Sequence, residues 1–136
     1  ITNTAYGYSI ELPLNLLLAR SISGEHLEFH DRELMCEGDP LCAPLILIEA
    51  TEGNSKELSL EEWFKGEEKT AGVPLYSPRE QLVFNGLTVY RVKESIPGRF
   101  EGAYYYWARL NKIYYLRISE VDEKSYRSYI ETLKPL

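Results

Sequence analysis

The chain has 136 residues, 44% of them hydrophobic and 26% charged, a balance that fits one ordinary globular domain and argues against disorder. Its 15 Lys and Arg against 21 Asp and Glu give a net charge of −6, and no basic cluster is interleaved with aromatics, which excludes general nucleic-acid binding as a reading. No apolar run approaches the roughly 18 residues that a membrane span needs.

Tyr6 to Leu12 alternates, with Tyr6, Tyr8, Ile10 and Leu12 on one side and Ser9 and Glu11 on the other. That pattern predicts a half-buried strand stopped by Pro13. Asn15 to Ser21 is apolar but short, and reads as a helical turn or a second extended piece. His26 to Asp31 reads as a short strand. Pro44 to Ala50 is a continuous apolar run with β-branched content, the mark of a strand covered on both faces. Ser59 followed by Glu62 forms a capping box, and Leu58 can staple onto Trp63. The helix this starts runs from Leu60 to about Thr70 and ends near Gly72, with Trp63 and Phe64 as buried anchors.

Four strands follow from Arg79. Asn85-Gly86 marks a type I′ turn, because both positions need positive φ. It sets Phe84 opposite Leu87, Leu82 opposite Val89, and Glu80 opposite Arg91 as a cross-strand charge pair. Pro97-Gly98 makes the next turn. A turn at Asn111-Lys112 pairs Leu110 with Ile113, Ala108 with Tyr115 and Tyr106 with Arg117. One face then carries Tyr104, Tyr106, Ala108, Leu110, Ile113, Tyr115 and Arg117; the other carries Tyr105, Trp107, Tyr114, Leu116 and Ile118, with Arg109. Both faces are apolar or amphipathic, so helices are expected over at least part of each. Tyr126, Tyr129, Ile130 and Leu133 make one apolar stripe of a closing helix, capped by Asp122 or Ser125 and ended by Pro135.

The two cysteines, Cys36 and Cys42, share one loop-like stretch. A redox pair usually sits closer, as Cys-x-x-Cys at a helix start. A local disulfide is the favoured reading, and closing so short a loop is worth about 2.4 kcal/mol if unstrained. Oxidation implies a periplasm, lumen or cell surface; two thiols in a cytosolic protein are the alternative. The chain begins at Ile1 rather than Met, which leaves room for a signal peptide or lipid anchor upstream.

Chemistry-bearing motifs are sparse. His26 and His30, the only histidines, flank Glu28 on one side of a strand and invite a metal reading. Residues four apart on a strand are about 13 Å apart, too far for one ion, so surface histidines are the better reading. In the acidic run Glu61, Glu62, Glu67 and Glu68, the first two complement the helix start and the others read as solvated. No phosphate loop or nucleophile elbow appears. No catalytic or metal-ligating residue and no cofactor is assigned. Tyr104, Tyr106 and Arg117 form a candidate partner surface, since Tyr, Trp and Arg dominate interface hot spots; the competing reading for Tyr104 and Tyr106 is packing beneath a helix.

The opening Tyr-Gly-Tyr-Ser-Ile-Glu-Leu-Pro, the Ser-Leu-Glu-Glu-Trp-Phe helix, the strand meander and the closing Tyr-Ile-Glu-Thr-Leu-Lys stretch resemble the PsbP-like domains. That group also includes the Mog Ran-binding proteins and bacterial DcrB-like proteins. The resemblance spans nearly the whole chain in element order. It implies one domain over residues 1–136: an α+β, α/β/α sandwich with a central, mostly antiparallel sheet. Its members are mostly non-enzymatic accessory subunits, chaperone-like binders or domains of secreted lipoproteins; photosynthetic members assist the oxygen-evolving complex and are associated with metal ions. The expectation is a non-catalytic, extracytoplasmic protein-binding or assembly domain with a protein partner. The alternative is a small-ligand or metal-ion binding domain. The cysteine loop departs from the family pattern and suits an extracytoplasmic member.

Overall fold

The structure is a computed structural model that describes residues 2–3, 6–22, 25–31, 44–54, 56–72, 78–96, 98 and 100–136. Cys36 and Cys42 lie outside them, so the disulfide expectation falls outside the described residues. The elements are β1 (Thr2–Asn3), β2 (Tyr8–Ser9), β3 (Leu16–Ile22), β4 (His26–Asp31), β5 (Ile46–Gly53), α1 (Leu60–Ala71), β6 (Arg79–Phe84), β7 (Leu87–Ile96), β8 (Phe100–Arg109), β9 (Lys112–Ser119), α2 (Glu120–Ile130) and β10 (Lys134–Pro135). The protein is mixed α+β. A seven-stranded sheet runs in the order β3-β4-β5-β9-β8-β7-β6, and a small three-stranded sheet in the order β1-β2-β10. Every strand pair among the described residues is antiparallel. No helix among them is long and apolar enough to cross a membrane.

The two faces of the large sheet carry separate apolar clusters. On one, Tyr8, Ile10, Ile48, Tyr105, Trp107, Leu116 and Ile118 pack with Ile130 of α2 and with Leu133. Trp107 stacks on Tyr114 at 5.6 Å and meets the edge of Tyr8 at 5.3 Å. On the other, Leu60, Trp63 and Phe64 of α1 meet Tyr90, Val92, Tyr106 and Ile113. Phe64 is fully buried and presents its ring edge-on to Tyr90 at 5.5 Å and Tyr106 at 5.3 Å. Truncating a buried Phe costs about 3–5 kcal/mol, so this contact is the main anchor of α1.

Several expected elements stand. The Ser59–Glu62 capping box is formed and α1 ends at Gly72 with φ 75°. The Asn85-Gly86 turn has φ 53° and 82°, and its hairpin has the expected register. Others differ for identifiable reasons. The Tyr6–Leu12 alternation does put Tyr8 and Ile10 in the core, but Gly7 at φ 75° breaks the extended run, leaving only Tyr8–Ser9 as strand. Asn15 to Ser21 resolves as the strand β3.

The last hairpin turns at Leu110-Asn111, one position earlier than expected, pairing Arg109 with Lys112, Tyr106 with Tyr115 and Tyr104 with Arg117. The slip shifts each pairing by two residues, so each residue keeps its face. The α2 cap is Ser119, whose Oγ accepts from the Asp122 backbone N–H; Asp122 is the third helical residue rather than the cap. The buried stripe of α2 runs through Glu123 and Ile130, and Tyr129 lies off it at 36% exposure. The β5 strand is fully covered on one face only: Ile46 and Ile48 are buried, whereas Leu47 and Glu49 are half-buried. Finally, Arg91 stands opposite Glu80 but gives its guanidinium to Glu123.

Candidate functional site

Register fixes which side chains share the α1 side of the sheet. Tyr90 pairs with Tyr106, Tyr106 with Tyr115, Tyr115 with Glu49, and Glu49 with His26. One row thus crosses β7, β8, β9, β5 and β4. The next row along the strands holds Val92, Tyr104, Arg117, Leu47 and Glu28. Helix α1 sits on the β7–β8 end of these rows, where Tyr90, Val92 and Tyr106 are buried. Toward β9, β5 and β4 the side chains of Tyr104, Tyr115, Arg117, Leu47, Glu49, Glu28 and His26 are half-buried, with Tyr104 and Tyr115 packed against the margin of the α1 cluster. The expectation that helices cover part of each face therefore holds, with α2 over β8 and β9 on one face and α1 over β7 and β8 on the other.

The structure brings Tyr104, Tyr106 and Arg117 together, though not as equals. Tyr106 is 8% exposed under Phe64 and belongs to the α1 core. Tyr104 stacks on Tyr106 at 5.9 Å and meets Tyr115 edge-on at 5.3 Å. The Arg117 guanidinium lies 5.9 Å from the Tyr104 ring centre, within cation–π range. Burial pushes the Tyr104 hydroxyl pKa up; Arg117 pulls against that shift and Glu94 adds to it. Half-open aromatic area beside a guanidinium makes up the exposed part of this group.

Beyond the tyrosines lies a chain of polar contacts that sequence reasoning did not assemble. Tyr115 donates its hydroxyl to Glu49 Oε2. The other oxygen of Glu49 lies 3.1 Å from His26 Nδ1. On the far side of the ring, His26 Nε2 lies 2.8 Å from Glu28 Oε2. Carboxylates only accept, so both histidine contacts are hydrogen bonds together only when the ring carries two hydrogens. The Glu28 hydrogen bond is the largest cause holding the His26 pKa above its ordinary 6.5; burial opposes it and Glu49 assists. Burial by itself would raise the Glu49 carboxyl, but Tyr115 and His26 outweigh it and hold the group below its ordinary value. His26 and Glu28 had stood out in the sequence; the missing signal was the pairing of His26 with Glu49, which needs the β4–β5 register.

This arrangement limits the chemistry. Both ring nitrogens of His26 are committed to carboxylates, so neither faces an incoming substrate. Glu28 and Glu49 approach opposite nitrogens and do not converge on a point where one ion could sit. His30 lies four residues along β4, away from this contact. In the acidic run on α1, Glu61 and Glu62 stand in the first turn as expected, but Glu68 is not simply solvated: Arg79 donates to it at 3.0 Å and to Glu61 at 2.6 Å.

Among the described residues two grooves are large enough for a small molecule, one of about 430 Å³ beside Leu60, Glu61, Gln81 and Tyr90 and one beside the end of α2. The latter has a volume of about 460 Å³ and is lined by Ile10, Glu11, Asn85, Ser128, Thr132 and Lys134 among others. Two of its polar groups are spent on the fold: Asn85 Nδ2 donates to the carbonyls of Glu131 and Leu133, both at 3.1 Å, and Thr132 Oγ1 accepts from the Glu11 N–H at 2.8 Å. No family model matches the chain, and no curated protein matches it.

Proposed function

We propose that this is a non-catalytic protein-binding or assembly domain that engages its partner through the half-buried part of the α1-side face, beyond the β7–β8 end where α1 sits. The observation that carries this reading is the half-buried cluster of Tyr104, Tyr115 and Arg117 on adjacent paired strands. Tyr and Arg supply large contact area and anchor interfaces. The polar groups beside them are engaged with one another, which suits docking better than turnover. The resemblance to PsbP-like domains supports the same reading, and with it an α/β/α sandwich, an extracytoplasmic setting, an oxidised Cys36–Cys42 pair and a lipid-anchored or secreted parent.

Affinity purification with quantitative readout tests it. Tyr104→Ala and Arg117→Ala should each weaken capture of the partner by about 2 kcal/mol, roughly thirtyfold. Val121→Ala, on the exposed surface of α2, should leave capture unchanged. Equal capture by all three variants would remove the face from consideration.

A second reading, a small-ligand carrier, is favoured by the groove beside the C-terminal end of α2, whose volume falls in the range of small-molecule sites. Native mass spectrometry of the purified chain distinguishes the two: a co-purifying adduct displaced by Ser128→Trp would support the carrier, and a bare mass would count against it.

A further inference from the structure

We propose that His26 is a proton-operated clasp on the β4–β5 seam, closed when both ring nitrogens carry hydrogen and opened when one loses it. The proposal stands apart from the docking reading and needs no partner. The ring is held from two strands at once: Glu28 is on its own strand, and Glu49 is on the neighbour. A neutral imidazole has one N–H, so one nitrogen would then turn a lone pair toward a carboxylate. One of the two contacts must break.

The geometry says which. The Glu49 contact is longer, 3.1 Å against 2.8 Å, and the Glu49 side chain is more exposed, 35% against 17%. Glu49 also keeps Tyr115 as a donor. The cross-strand contact is therefore the one that opens, leaving the hydrogen on Nε2 with Glu28. Among the described side chains, one cation of β9 is already engaged. Lys112 of β9 pairs with Glu25 at 2.9 Å. From β3, Ile22 stands opposite His26 and Arg20 opposite Glu28 in register.

The direction with pH follows. His26 is raised above 6.5 in the fold, so its contribution is complete below 6.5 and is lost as pH rises through the raised value. Glu49 is held below its ordinary 4.5, so its contribution is present above 4.5 and fades as pH falls through the lowered value. The clasp is closed between those limits and opens as pH rises through the raised His26 value.

The test is a titration of the intact chain by long-range proton–nitrogen NMR of the two histidine rings, with His30→Asn to assign them. His26 should titrate above 6.5, pass to the tautomer with hydrogen on Nε2, and drop to a lower midpoint in Glu28→Gln. Thermal unfolding midpoints should fall from about pH 6.5 upward in the wild type and flatten in His26→Asn. A His26 midpoint at or below 6.5, or hydrogen retained on Nδ1 in the neutral ring, would overturn the proposal. So would an unchanged pH dependence in His26→Asn. Should that variant fail to fold, the wild-type and Glu28→Gln titrations decide the matter.

Discussion

Arg91 donates to the carboxylate of Glu123 from Nε at 2.8 Å and from Nη2 at 2.6 Å, tying α2 to β7 across the sheet face. Tyr105 donates its hydroxyl to the same carboxylate and accepts from Arg127 Nη1 at 3.1 Å. Glu123 is 8% exposed. Burial alone would raise its pKa, but Arg91 and Tyr105 hold it below the ordinary carboxylate value. Removing one partner of a buried pair strands the other, so Glu123→Ala should cost about 3 kcal/mol in urea unfolding. Arg91→Met with Glu123→Leu should recover most of that loss. Stability from this group is present above the ordinary carboxylate value and lost as pH falls through its lowered one. Acid unfolding should therefore be less steep in Glu123→Gln.

Leu110 turns the β8–β9 hairpin at φ 56°, a conformation that costs a non-glycine residue about 1–2 kcal/mol. Its side chain is 53% exposed, so little packing is lost on truncation. Leu110→Gly should raise stability by about 0.5–1 kcal/mol. Gly7→Ala should do the reverse: Gly7 sits at φ 75°, and a Cβ there would stand 3.0 Å from Arg109 Cγ. Paired chemical denaturation curves of the two variants read both signs.

Asn85 has two tasks. It takes the left-handed position of the turn and tethers the segment after α2 through the Glu131 and Leu133 carbonyls. Asn85→Gly keeps the turn and loses the tether, at about 1–2 kcal/mol. Asn85→Ala adds the backbone penalty, about 1 kcal/mol more. Hydrogen exchange should show faster opening of Thr132 to Leu136 in both variants.

The Cys36–Cys42 bond proposed above has a direct chemical readout. Alkylation of the denatured chain should add nothing before reduction and label both thiols after it. Labelling before reduction would remove the argument for an oxidising compartment.

Local signals were the legible part of this fold. Ser59 with Glu62 and Asn85 with Gly86 are short-range patterns whose backbone demands are met within a few residues, and both formed as read. The α1-side tyrosines kept their face despite the slipped turn, because a two-residue shift preserves side-chain alternation. What escaped were contacts set by register between distant strands. Glu123 occupies a core-facing helical position, but its charge reads as solvent until Arg91 and Tyr105 are known to lie beneath it. Arg91 likewise read as the partner of Glu80, its neighbour across the hairpin. Glu49 falls within a stretch read as a continuous apolar run, and only the β4–β5 and β5–β9 pairings place it between His26 and Tyr115.

The docking face is tested most directly by a photo-crosslinking amino acid placed at position 104 in the native host, with position 121 on α2 as the control. A discrete adduct from position 104, reduced about tenfold by Arg117→Glu and absent from position 121, is the result the account predicts. Adducts of equal yield from both positions, or none from position 104 while the partner still binds, would contradict it.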